Sequence, residues 1–71
     1  MVKVISGWYE SDYGAELFCH YDLDNVQQLA KALYKESEGD CLGVDLEAEG
    51  EYSNGEEVNE IELLKELDNY L

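Results

Sequence analysis

The sequence predicts an α+β domain: a small antiparallel sheet of three or four strands packed against two helices, in the order ββαβ(β)α. Three observations carry this. Side-chain character alternates with a period of two over 2–9, 15–21 and 41–49. Apolar residues recur at three- and four-residue spacing over 26–33 and again near the C-terminus. Turn-forming Gly, Asn, Asp and Ser separate these segments, with no proline anywhere.

In the first strand Val2, Val4, Ser6 and Trp8 alternate with Lys3, Ile5, Gly7 and Tyr9, a mixture rich in β-branched and aromatic types. Ser11-Asp12-Tyr13-Gly14 supplies a turn, with Gly14 suited to a positive φ. The second strand places Ala15, Leu17, Cys19 and Tyr21 on one face and Glu16, Phe18 and His20 on the other, so the two runs form a hairpin.

Asp24, followed three residues later by Gln27, reads as the capping box of a helix. Val26, Leu29, Ala30 and Leu33 form its apolar stripe. Lys31 and Lys35 suit the negative end of its dipole, and Ser37-Glu38-Gly39-Asp40 ends it. The third strand points Leu42, Val44, Leu46 and Ala48 inward and Asp45, Glu47 and Glu49 outward. Gly50 breaks that run, and the Asn54-Gly55 pair predicts a tight turn leading to a short fourth strand over 56–58. Asn59 caps the last helix, with Glu62 at its third position. There Ile61, Leu64, Leu67 and Leu71 are read as one buried stripe, with Glu60, Glu62, Glu66 and Asp68 in water.

All of this fits a single domain over residues 1–71, one small enough to bury only about 60% of the surface its unfolded chain exposes. Hydrophobic residues make up 45% of it, which favours folding over disorder. Cys19 and Cys41 are too few for a disulfide framework and read as buried thiols in a reducing cytosol. The N-terminal apolar run is soon interrupted by Glu10 and Asp12, unlike a signal peptide, and no window approaches the roughly 20 apolar residues of a membrane span. The expected location is cytoplasmic.

Charge is the outlying property. Eighteen acids face four lysines and no arginine, for a net charge of −14, and residues 36–71 alone carry −12 of it. Charge of that density destabilises a compact chain through self-repulsion and repels nucleic acid and membranes, while attracting basic protein surfaces. On an extended strand, alternate side chains lie about 6.6 Å apart on one face, so Asp45, Glu47, Glu49 and Glu51 are expected to form a straight row. One DNA strand carries a phosphate every ~3.4 Å of helix axis. The row, joined by Glu56, Glu57 and Glu60, is therefore the candidate partner-binding surface, with Tyr52 as an aromatic anchor beside Tyr9 and Tyr13. The plainer reading of the same residues is a solvated face that keeps a small protein dissolved.

Other constellations carry less. Asp45, Glu47, Glu49, Gly50 and Glu56 fall near the spacing of a calcium loop. Against it, Glu replaces the shorter acids, Tyr52 stands where a small residue is usual, and the preceding segment reads as strand. Cys19 and His20 are adjacent in a strand and point to opposite faces, so they do not meet one ion. No phosphate loop, nucleophile elbow or redox cysteine pair is present, so the expectation is a protein without catalytic activity, cofactor or resident metal.

The acidic row Asp45, Glu47, Glu49 and Glu51, the acidic turn Glu56-Glu57 and the absence of arginine resemble the small DNA-mimic inhibitors of bacterial defence, of the anti-CRISPR and antirestriction type. The likeness is one of composition and size across the chain, without a shared motif. It implies a phage-encoded inhibitor in the host cytoplasm that occupies the basic nucleic-acid channel of a CRISPR effector and excludes DNA. On that reading, reversing Glu47 and Glu49 to Lys weakens inhibition more than reversing Glu10 and Asp12. The alternatives are an immunity or antitoxin module blocking a basic toxin or nuclease, and a calcium binder through 45–56. The partner is in each protein case basic, with the chain a monomer or weak homodimer.

Overall fold

In the computed structural model, which describes residues 3–11, 13–37 and 45–70, the chain folds as ββαβα. The strands are β1 (Val4–Ser11), β2 (Gly14–Tyr21) and β3 (Leu46–Gly50), and the helices are α1 (Val26–Ser37) and α2 (Glu60–Asp68). Among the described residues the sheet is three-stranded and antiparallel, in the order β2-β1-β3. No described helix is long and apolar enough to cross a membrane.

The hairpin closes by pairing Ser11 with Gly14, whose φ of 111° only glycine adopts without strain. Gly7 lies opposite Phe18 on β2, and the phenyl ring stacks on Tyr9 at 6.3 Å. Ile5, Tyr9, Phe18 and Ala48 thus point to one side of the sheet, where Val26, Leu29, Ala30 and Leu33 of α1 and Leu63 and Leu67 of α2 complete the core. Ile5, Leu29, Leu33, Leu63 and Leu67 are almost wholly enclosed. Truncating any one of these leucines to alanine costs about 2–5 kcal/mol, a large share of what holds a domain this small together.

The caps differ in detail from expectation. The first helix is capped by Asn25, whose Oδ1 accepts from the Gln28 N–H at 3.0 Å, while the Gln28 side chain accepts from the Asp24 N–H. The cap falls one residue later than expected and is not a reciprocal box, because the Gln28 side chain reaches back past Asn25 to the Asp24 N–H. For α2 the expectation holds: Asn59 Oδ1 accepts from Ile61 and Glu62, and Glu60 and Glu62 occupy the positive end of the dipole.

The fourth strand over 56–58 is reduced to one bridge, Glu51 to Glu57. Gly50, with φ 131°, turns the chain, and Tyr52 N–H bonding Glu56 O closes a loop too tight for further pairing. A β-carbon on Gly50 would stand 2.1 Å from the Val4 carbonyl oxygen, so only glycine fits. The Ser53 N–H bonds Leu23 O at 2.7 Å and ties this loop to the segment before α1.

In α2 the buried stripe is Leu63 and Leu67; Ile61 is 68% exposed and Leu64 half-buried. Steps of three residues rotate about 60° backwards around a helix each time, so the Ile61-Leu64-Leu67 series drifts off any single face. Leu63 and Leu67, one turn apart, stay on the face that meets α1. Leu71, Cys41, Leu42 and Val44 lie outside the described residues.

Candidate partner-binding face

Both helices pack on one side of the sheet, and among the described residues no element covers the other, open side. Its composition follows from the register. Leu17, Trp8 and Glu47 form one row across the three strands, and Cys19, Ser6 and Glu49 form the next. Val4 and Tyr21 extend the face at one end, and Glu10 and Ala15 at the other, where the Glu10 N–H bonds Asp45 O at 2.9 Å. Three columns result: apolar on β2, mixed with a central tryptophan on β1, and acidic on β3.

The acidic column holds three of the four residues of the row expected from the sequence, Asp45, Glu47 and Glu49, and Glu51 lies beyond it. Asp45, Glu47 and Glu49 are exposed, because Ala48 and Leu46 between them point to the core. Among the described residues the ion pairs are Lys3 with Glu51 (2.6 Å) and His20 with Glu36 (2.8 Å), and neither Glu47 nor Glu49 takes part in one. Lys31 and Lys35 are on α1 and Lys65 on α2, so no lysine offsets the column.

The remaining candidates divide. Glu51 is drawn to Lys3 beyond the Gly50 turn, and with Glu49 and Glu57 it lines a shallow hollow of about 340 Å³ at the β3 edge. Glu56 and Glu60 are exposed on the turn and at the start of α2, outside that hollow.

Tyr52 is not an available anchor. It is only 4% exposed, and its hydroxyl is buried with no hydrogen-bond partner among the described residues. Burial first, then the nearby Glu62 and Glu56 carboxylates, push that hydroxyl up to about 12. Tyr9 is likewise in the core, and of the three tyrosines proposed as anchors Tyr13 alone is exposed, at 89%.

Cys19 is a further correction: it is exposed, not buried. With Phe18 turned inward over Gly7, its neighbours Leu17 and Cys19 must point outward. The Tyr21 hydroxyl shares that face, and its hydrogen bond to the Cys19 side chain raises its pKa.

The calcium-loop reading does not survive the backbone. Asp45, Glu47 and Glu49 are strung along an extended segment, and among the described residues no group of three or more His, Cys, Asp or Glu converges to hold a metal. His20 points to the helix side and pairs with Glu36, away from the Cys19 thiol.

The residues that sequence reasoning overlooked are Trp8, Leu17 and Glu10. The signal was the glycine: with Gly7 in phase with Ile5 and Tyr9, the opposite phase of β1 has to be the one that faces outward. Glu10 also loses its use as a remote control, since it stands beside Asp45 on the open face.

The fold and this face define a small α+β protein with one helix-covered and one open, acid-edged sheet surface. Comparison of the chain with protein-family models, curated proteins and solved structures finds no match in any of the three.

Proposed function

We propose that the protein is an inhibitor that binds the basic nucleic-acid-binding surface of another protein in place of DNA, with a CRISPR effector of the bacterial host as the first partner to test. One observation carries this: Asp45, just before β3, and Glu47 and Glu49 on it stand exposed, and among the described residues none of the three has a cationic partner. Their spacing of about 6.6 Å offers one carboxylate for every two phosphate steps of about 3.4 Å on a DNA strand. Glu51 and Glu57 prolong the negative surface at the strand's edge.

Such a surface acts by competition. Its field speeds the encounter with a lysine- and arginine-lined groove, and the field of the bound protein keeps phosphates out. No bond is made or broken in the partner. The test is a competition assay between the protein and duplex DNA for a purified effector. The double reversal Glu47→Lys with Glu49→Lys is expected to lose inhibition by tenfold or more, about 1.4 kcal/mol or greater. The matched reversal Glu66→Lys with Asp68→Lys, late in α2, is expected to change it little. Equal losses from the two would contradict a localised mimic surface.

A further inference from the structure

The acidic column accounts for one of the three columns of the open face and leaves the other two unexplained. Leu17 is 82% exposed and Tyr21 60%, with Trp8 half-buried between the columns. A chain with so many charged residues nevertheless keeps charge off the outward positions of β2, where Ala15, Leu17, Cys19 and Tyr21 stand. Trp8, Leu17, Cys19, Glu47 and Glu49 together line a shallow hollow of about 500 Å³, so its walls are apolar on one side and anionic on the other.

Resting on the reading that this face docks a basic partner, we propose that its occupant is an amphipathic basic helix of a protein, laid along the strands. The helix's apolar stripe covers Leu17 and Trp8, and lysines or arginines on the adjacent stripe meet Glu47 and Glu49. The outer strands of a three-stranded sheet are about 10 Å apart, and a helix with its side chains is about 10–12 Å across, so one helix spans both columns. Charge selects against the other occupants. A second copy brings its own acidic column and a net charge of −14, and nucleic acid or an anionic membrane is repelled outright.

The arrangement has a measurable consequence. Coulombic attraction fades as the screening length falls from about 10 Å at 0.1 M salt to about 3 Å at 1 M, whereas apolar contact is not screened. Trp8 is the only tryptophan, so its emission reports the occupancy of this face directly.

The experiment titrates the full chain with a synthetic helical peptide bearing leucines on one stripe and lysines on the next, and with a scrambled peptide of the same composition. The ordered peptide is expected to shift Trp8 emission and bind at least tenfold tighter than the scrambled one, with the margin persisting at high salt. Leu17→Thr keeps a strand-forming residue at an exposed site, so the fold persists by circular dichroism while the margin collapses. Equal binding of the two peptides, or a margin untouched by Leu17→Thr, overturns the proposal. In that case the acidic-face reading still stands if Glu47→Lys with Glu49→Lys weakens both peptides. Absence of any Trp8 response to either peptide overturns both.

Discussion

The backbone of Glu47 passes so close to Gly7 that a β-carbon on the glycine would stand 1.9 Å from the Glu47 carbonyl oxygen. The acidic strand is therefore held in place by the absence of a side chain on its neighbour. Gly7→Ala forces β3 away from β1, and overpacking of this kind costs about 1–3 kcal/mol. The expected result is a lower melting temperature together with displaced amide resonances for 46–50. An unchanged melting temperature with unchanged β3 resonances would show that the contact is relaxed in solution.

Tyr52 gives a prediction in pH. In the unfolded chain its hydroxyl ionises near the ordinary 10.0, and in the folded chain at about 12. Its contribution is thus intact below pH 10 and is lost as pH rises towards 12, because the unfolded state releases a proton that the folded state keeps. Tyr52→Phe removes both the titration and a buried hydroxyl that has no partner among the described residues, so it is expected to be neutral or stabilising by about 1 kcal/mol. Denaturant unfolding of the two proteins at pH 8 and pH 11 checks this. A gap between them that stays constant over that interval would contradict it.

Salt should stabilise this protein. Its two described ion pairs, Lys3 with Glu51 and His20 with Glu36, have little to lose by screening, while the repulsion among eighteen acids has much. Relief of 1 kcal/mol corresponds to a rise in melting temperature of roughly 4–8 °C for a domain this size. Thermal melts at about 0.02 M and 0.5 M sodium chloride, where the screening length differs severalfold, are the measurement. A melting temperature that falls with salt would mean that attractive pairs dominate instead.

Much of the fold was legible because local signals agreed with one another. The first two period-two runs, the described part of the third, the Gly14 turn, the Asn59 cap and the Val26-Leu29-Ala30-Leu33 stripe each appear as read. The failures share a cause: periodicity says that two faces differ, but not which one is buried. On β2 the more apolar phase faces out, because Phe18 alone fills the core side over Gly7. In α2 the series with the more regular spacing lost to the leucine pair that faces α1.

The site was half legible for the same reason. Glu47 and Glu49 alternate with Leu46 and Ala48, so their outward direction followed from the pattern alone. The third dimension did not: that Leu17 and Trp8 stand in line with Glu47 depends on the register of two strand pairs. Tyr52 was misjudged because a residue beside an Asn-Gly turn looks exposed, whereas the loop folds its ring back into the core.

The most direct test of the central claim is capture of partners from bacterial lysate on the immobilised protein, followed by elution with duplex DNA. The account predicts recovery of a nucleic-acid-binding effector that DNA releases, and its loss when Glu47 and Glu49 are reversed to Lys. A partner that DNA fails to release, or that the double reversal binds equally well, would contradict it.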